Sequence, residues 1–295
     1  MFVITGVTGQ VGGIVAARLL EAGVPIRAVV RNAKKAAEWK DKGADLALAE
    51  MTDADALTKA FAGADGVFLL IPPTFDPTPG FTEVRAVIAA LKTALLSSRP
   101  AKVVCLSTIG AQAREPNLLS QLGLVEQKLS SLPMPIAFLR AAWFMENTAW
   151  DIAPARQTCV LSSFLQPLDQ PYPMVSVFDV GAKAAELLQQ EWVGKQVIEL
   201  TGPEGVSPNE IAAVLSSILG KPVRAEPVAR DTWEQIFTDQ GMQNPLPRMR
   251  MIDGFNEGWI RFEGEPVKGT ATLDTAMRRL KGRGGEQPRP FSCSL

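Results

Sequence analysis

A glycine-rich turn near the start of the chain limits the fold more than any other feature. The segment Thr5-Gly6-Val7-Thr8-Gly9-Gln10-Val11-Gly12 stands between a short β-branched run and a helical pattern. In such a turn Gly6 permits the tight bend, Gly9 lets backbone N–H groups approach a pyrophosphate, and Gly12 allows close packing of helix on strand. The spacing is one residue longer than G-x-G-x-x-G, and a merely tight βα turn is the alternative. We therefore predict dinucleotide contacts at Thr5, Gly6, Thr8, Gly9, Gln10, Val11 and Gly12.

The end of the second predicted strand indicates which dinucleotide binds. An acidic residue there would accept hydrogen bonds from the ribose 2′-hydroxyl of NAD, but Ile26–Val30 is followed by Arg31-Asn32-Ala33-Lys34-Lys35. A guanidinium with nearby ammonium groups suits a 2′-phosphate. We predict that Arg31 and Lys35 contact this phosphate and that NADP(H) is preferred over NAD(H). The alternative is that these are solvated charges in a loop, and this alternative has more weight for the lysines than for Arg31.

Short apolar runs alternate with helical patterns through the first half of the chain, which is typical of βαβ units on a parallel sheet. The predicted fold class is α/β, a Rossmann-like doubly wound parallel sheet with a smaller, mostly helical C-terminal lobe. The predicted strands are Phe2–Ile4, Ile26–Val30, Leu46–Leu48, Gly66–Ile71, Val103–Leu106, Ile136–Leu139 and Val197–Leu200.

The chain is predicted to divide into one large domain and one small lobe. Residues 1–150 form the cofactor domain, to which residues 176–202 return, while residues 151–175 and 203–281 form the substrate lobe. Within the lobe, Ser207, Pro208 and Gly220 predict the start and stop of a helix. Residues 282–295 contain little to bury and are expected to be disordered.

Composition excludes several kinds of chemistry. The 295 residues contain no histidine, which removes Ser-His-Asp and Cys-His pairs and imidazole metal ligands, and the three cysteines have no CxxC spacing. We expect no metal. The formal net charge of −1 gives no reason to expect a nucleic-acid partner. The N-terminus resembles no secretion signal and no apolar run reaches membrane-spanning length, so a cytoplasmic protein without a membrane partner is expected.

Polar and aromatic residues follow the predicted strands at the edge where open α/β sheets bind ligands. Ser107 could hydrogen-bond a substrate oxygen or the nicotinamide carboxamide, with a strand cap as the alternative. Asn147 is the other polar candidate, and Glu126 is either catalytic or a salt-bridged helix carboxylate. The further predicted cofactor contacts are Ile71, Pro72, Pro73, Arg140, Trp143 and Phe144, although aromatic side chains here can also be core.

Several motifs together resemble the NmrA-like group of atypical short-chain dehydrogenases/reductases. They are the glycine turn, Arg31, residues 43–45 leading to Asp53, the strands around 67–73 and 103–107, and the runs 139–147, 179–181 and 200–203. Glu126 also matches a recurring family position. The resemblance implies a Rossmann-like domain with a small C-terminal lobe. It also implies one of three activities: NADPH-dependent quinone or azo reduction, isoflavone-type reduction, or redox sensing without turnover.

The usual acid of the wider superfamily is missing. Tyr-x-x-x-Lys supplies a proton to a carbonyl oxygen, but the only tyrosine is Tyr172, followed four residues later by Ser176. Hydride transfer to quinones or azo compounds is less dependent on such an acid. We therefore predict an NADPH-dependent oxidoreductase acting on small electron-poor aromatic acceptors without bound flavin. A non-catalytic NADP(H)-sensing regulator is the alternative, and a monomer and a homodimer both stay open.

Overall fold

A computed structural model of the protein describes residues 1–72 and 74–282. For Lys35, Lys281 and Gly282 only the backbone is described. The strands are β1 (Phe2–Thr5), β2 (Ile26–Val30), β3 (Asp45–Leu48), β4 (Gly66–Leu69), β5 (Val103–Thr108), β6 (Ile136–Ala141), β7 (Trp143–Phe144), β8 (Val160–Ser163), β9 (Met174–Val175), β10 (Lys195–Thr201), β11 (Arg224–Pro227) and β12 (Val267–Lys268).

The central sheet confirms the predicted fold class. Its strand order is β12-β10-β6-β5-β4-β1-β2-β3, and every neighbouring pair is parallel. The chain order reverses between β1 and β4, which is where open α/β sheets bind ligands. The chain returns to the sheet at β10, which pairs with β6.

Helices cover both faces of this sheet and also form most of the C-terminal region. They are α1 (Gln10–Glu21), α2 (Ala37–Asp41), α3 (Ala54–Phe61), α4 (Thr82–Ser98), α5 (Ser120–Leu129), α6 (Ile152–Thr158), α7 (Val177–Gln189), α8 (Pro208–Leu219), α9 (Trp233–Asp239), α10 (Leu246–Asn256) and α11 (Leu273–Gly282). Apolar residues of α1 and α7 pack on one face, and those of α3, α4 and α5 pack on the other. Helices α1 and α7 approach closely at Gly181, where a Cβ would lie 2.6 Å from the side chain of Ile14.

A third apolar cluster forms the core of the C-terminal region, around the fully buried Trp233, Phe237 and Tyr172. Its helix α8 begins as predicted: Ser207 and Glu210 cap each other's backbone N–H groups, and Gly220 ends the helix with a φ of 67°. Strand β12 lies within residues 203–281 yet pairs with β10 of the central sheet. The boundary between cofactor domain and lobe stays a prediction.

Two predicted elements are shorter in the structure. The fourth strand ends at Leu69 rather than Ile71, because the Leu70 N–H turns out of the ladder and donates to the Thr5 hydroxyl at 2.7 Å. Helical periodicity near 118–132 also predicts a helix, but α5 is Ser120–Leu129, since the Asn117 side chain accepts from the Leu119 N–H and forms a turn before the helix.

The predictions about the C-terminal tail, membrane spans and metal sites can be compared only with the described residues. The predicted tail, residues 282–295, lies outside the described residues from position 283 onward. Within residues 1–72 and 74–282, no helix combines the length and apolar character that crossing a bilayer requires. The same residues contain no group of three or more carboxylates or thiols arranged to hold a metal ion.

Candidate active site

The glycine turn has the geometry that a bound pyrophosphate needs. Gly6 adopts a φ of 69°, and its carbonyl accepts a hydrogen bond of 2.9 Å from the Gly9 N–H, which closes the turn. A Cβ on Gly12 would lie 2.3 Å from the Gly6 oxygen, so no side chain fits there. Thr5 is buried and its hydroxyl donates to the Phe68 carbonyl at 3.1 Å, which joins β1 to β4 at the switch point.

The N-terminus of α1 is open to an anion. Gly9 is its N-cap in an extended conformation, without a capping side chain, and the first turn contains no acidic residue. The Gly13 N–H donates the first helical bond, to Gly9, so the three preceding N–H groups have no partner within the helix. Thr8 and Gly9 are exposed, whereas the Val11 side chain is core. Val11 therefore can contact a ligand only through its backbone.

The residues after β2 fit a phosphate group. Arg31 and Lys34 are exposed, and neither forms an ion pair with the part of the chain that the structure describes. The Asn32 side chain caps the following 3-10 turn by accepting from the Lys34 N–H at 2.9 Å. The side chain of Lys35 lies outside the described residues. The five residues directly after β2 contain no carboxylate, so the exposed cations there can bind an anionic group.

The loop after β4 contacts the C-terminal region. Ile71 is buried and Pro72 exposed, while Pro73 lies outside the described residues. Further along, the Asp76 carboxylate accepts bonds of 2.8 Å from the backbone N–H groups of Gln243 and Asn244 in the C-terminal region. This contact joins the loop to the lobe. Sequence reasoning missed Asp76, because its partners lie more than 160 residues away.

Ser107, Glu126 and Arg140 come together near the carboxyl ends of β5 and β6. The Ser107 hydroxyl donates to Glu126 Oε1 at 2.5 Å, and Arg140 binds both Glu126 oxygens at 2.9 and 2.7 Å. All three residues are buried. Two predicted catalytic candidates thus share a hydrogen bond, and Arg140, a predicted cofactor contact, is occupied by carboxylates.

Two further carboxylates reach Arg140 from the opposite side. Glu199 lies 3.5 Å from Arg140 Nη1, and Glu263 lies 2.5 Å from the same nitrogen. Burial lowers the pKa of Arg140, but hydrogen bonds and charges from Glu126 and Glu263 outweigh it and raise that pKa above its ordinary value. Sequence reasoning missed Glu199 and Glu263. A glutamate inside the apolar run 197–200 was the available signal, because a buried strand carboxylate needs a cation.

The segment after β6 contributes aromatic and polar groups. Trp143 packs edge to face on Phe255 of α10, with ring centroids 5.2 Å apart, so it belongs to the lobe side. Phe144 packs on the cluster between α1, α7 and the sheet. Asn147 is half-buried, and its side chain forms no hydrogen bond with the described residues. Both aromatic side chains thus pack on apolar clusters, and the amide of Asn147 is left available to a ligand.

Asp151, at the end of the 3-10 turn Met145–Asp151, is an ionisable group that the sequence did not single out. Its carboxyl has neither a hydrogen bond nor an ion pair within the described chain, and burial raises its pKa to about 7. The group is therefore largely protonated in the folded protein at acidic pH.

We expect Asp151→Asn to raise the free energy of unfolding at pH 8 by about 1–3 kcal/mol and to leave it unchanged at pH 4. The folded pKa lies above the unfolded value, so wild-type stability falls as pH rises from about 4 to about 7 while the unfolded chain releases this proton. Urea unfolding at both pH values measures the difference. Asp41→Asn, at an exposed position, is the control; equal shifts for the two variants would contradict the assignment.

The fold and the site together define a class. A parallel sheet with a glycine turn at its switch point and an open helix N-terminus is the architecture of dinucleotide-binding α/β proteins. Comparison with known sequences then gives the family: residues 1–259 match the pattern of the NmrA-like family, and the chain belongs to it.

Three relatives illustrate the similarity. The NAD(P)H azoreductase of Xenophilus azovorans is 29% identical over 285 residues, 96% of this chain and 93% of that protein. Quinone oxidoreductase 2 of Escherichia coli K12 is 25% identical over 252 residues, 84% of this chain and 85% of its own. The crystal structure of Citrobacter sp. triphenylmethane reductase complexed with NADP(H) has a TM-score of 0.78 at 21% identity, covering 94% of this chain and 99% of that one. The last match shows a shared fold.

Proposed function

We propose that the protein is an NADPH-dependent reductase that transfers hydride to electron-poor aromatic acceptors, quinones and azo compounds, without a bound flavin. One observation carries the proposal: the glycine turn and Arg31 offer sites for a pyrophosphate and a 2′-phosphate along one sheet edge. Relatives named as an NAD(P)H azoreductase and a quinone oxidoreductase support it. We also propose a cytoplasmic location and small-molecule partners.

The cofactor supplies the hydride when it is bound, and the chain supplies orientation. The α1 N-terminus binds the pyrophosphate, and Arg31 with its neighbouring lysines binds the 2′-phosphate. Arg31 follows β2, on one side of the switch point. On the other side of the switch point, the ends of β4, β5 and β6 would face the nicotinamide half, and Ser107 and Asn147 lie there.

The acceptor class follows from the missing acid. Tyr172 lies in the core of the C-terminal region, where its hydroxyl donates to the Gln166 carbonyl at 2.5 Å. Burial raises the pKa of Tyr172 to about 12. It is therefore not poised to protonate a substrate. A quinone accepts hydride to give a stabilised phenolate that takes its proton from water, so it needs no strong acid in the site.

A panel of acceptors tests the proposal. NADPH oxidation by flavin-free protein is followed with a benzoquinone, an aromatic azo dye, cyclohexanone and no acceptor. Because a positioned acid contributes about 100-fold or more to reduction of an unactivated ketone, we expect the quinone to react at least about 100-fold faster than cyclohexanone. Good reduction of the ketone with poor reduction of the quinone would contradict it.

The missing Tyr and Lys also favour a second function. A protein that binds NADP(H) without an acid in its site can serve as a redox sensor, in which the bound dinucleotide alters a protein contact. A sensor must bind NADPH and NADP⁺ with different affinities, because it reports which of the two is present. Turnover separates the two functions.

A further inference from the structure

Ser107, Arg140 and Glu199 form one row across three neighbouring strands. Ser107 of β5 pairs in register with Arg140 of β6, which pairs with Glu199 of β10. Cys105, two residues before Ser107, belongs to the apolar cluster under α5, and the Ser107 side chain points to the same face. Glu126 of α5 lies above the row and touches both Ser107 and Arg140. The row ends at the carboxyl edge of the sheet.

The hydrogen bonds of this row have a defined direction. Arg140 donates to both oxygens of Glu126, and an arginine has no acceptor. The paired carboxylate of Glu126 can therefore only accept, and Ser107 must donate its single proton to it. The lone pairs of the Ser107 oxygen accept no hydrogen bond within the described part of the chain. Ser107 is thus an acceptor for any further partner.

We propose that Glu126 is a positioning residue that fixes Ser107 as the hydrogen-bond acceptor for the carboxamide N–H of the nicotinamide. The inference rests on the proposed function, which places the nicotinamide over the ends of β4, β5 and β6. A carboxamide N–H is a donor, so it complements the Ser107 lone pairs, whereas a carbonyl oxygen of an acceptor substrate does not. Ser107 therefore orients the cofactor ring and does not protonate the substrate.

Arg140 fixes the direction of the Ser107–Glu126 hydrogen bond, because it binds the Glu126 carboxylate and keeps it an acceptor. Glu199 holds the loop after α10 by accepting from the Glu263 and Gly264 N–H groups at 2.9–3.1 Å, and Glu263 binds Arg140. The row therefore connects the C-terminal loop to the Ser107 hydroxyl. A buried guanidinium with carboxylates on both sides has little freedom to release Glu126.

The test compares two oxidised cofactors that differ at one group. The 3-acetylpyridine analogue of NADP⁺ carries a methyl ketone in place of the carboxamide, so it retains the carbonyl and loses the N–H donor. Dissociation constants for NADP⁺ and the analogue are measured by titration calorimetry for wild type, Ser107→Ala and Glu126→Met. Ser130→Ala is the matched control, because Ser130 caps the same helix by donating to the Glu126 carbonyl at 2.5 Å. Thermal unfolding of each variant verifies folding.

We expect wild type and Ser130→Ala to bind NADP⁺ roughly tenfold more tightly than the analogue, the effect of one lost hydrogen bond with its acceptor left buried. Ser107→Ala removes the acceptor, and Glu126→Met frees the hydroxyl to donate to the ketone. Both should bring the ratio to within about threefold of unity. Ser107→Ala leaves the Glu126–Arg140 pair intact, so it tests the contact even if Glu126→Met does not fold.

The possible outcomes distinguish failure of this inference from failure of the proposed function. An unchanged ratio in Ser107→Ala would overturn the proposed contact. A changed ratio in Ser107→Ala with an unchanged ratio in folded Glu126→Met would overturn the positioning role of Glu126. Failure of wild type to bind either cofactor would overturn the proposed function itself.

Discussion

Replacing Arg140 with methionine is expected to lower the free energy of unfolding by about 3–5 kcal/mol, measured by urea denaturation at pH 7. Arg140 is 5% exposed and lies between Glu126 and Glu199, which are 8% and 9% exposed. Methionine fills much of the same volume but leaves both carboxylates buried without a cation. Uncompensated buried charge costs far more than a lost surface contact.

Two comparisons identify the cause of that loss. Adding Glu126→Leu to Arg140→Met should restore more than half of it, because the double variant removes one of the two unpaired carboxylates, and the other, Glu199, still accepts from the Glu263 and Gly264 N–H groups. Arg278→Met breaks an exposed pair with Asp274 on α11 and should cost much less. If Arg140→Met were no more destabilising than Arg278→Met, the buried network would not stabilise the folded protein more than an exposed ion pair does.

Arg31→Asp is expected to reduce the preference for NADPH over NADH by about 30-fold or more, or roughly 2 kcal/mol. The substitution removes the cation that follows β2 and puts there a carboxylate that repels the 2′-phosphate and can accept from a ribose hydroxyl. Dissociation constants for both reduced cofactors, measured by fluorescence titration, give the preference directly.

The control for this change carries the same charge difference on a strand outside the central sheet. Arg224 is exposed on β11 of the C-terminal region, and Arg224→Asp should leave the cofactor preference unchanged. An equal preference in wild type and Arg31→Asp would show that the phosphate is bound elsewhere. Equal losses in both variants would indicate only a long-range effect of net charge.

Local features were predictable because their causes lie within a few residues. The turn around Gly6 and Gly12 follows from glycine chemistry between a strand and a helix, and the cap of α8 follows from Ser207 and Gly220. The parallel sheet follows from the alternation of strands and helices. These predictions were confirmed.

The ion pairs around Arg140 could not be predicted from the sequence in the same way. Arg140 and Glu199 are 59 residues apart, and their contact depends on β10 returning beside β6 in one particular register. A shift of one residue would place Glu199 on the other face of the sheet. The sequence allowed Arg140 to be a cofactor contact, and only the register reveals its carboxylate partners. Asp76 depends in the same way on how the lobe packs against the loop after β4.

The proposed reductase activity is tested most directly by comparing NADPH oxidation by flavin-free protein with and without a benzoquinone, at saturating NADPH. We expect oxidation that requires the quinone and proceeds more slowly when NADH replaces NADPH. Tight binding of NADPH without quinone-dependent oxidation would contradict this function, and a different affinity for NADP⁺ would then identify the protein as a redox sensor.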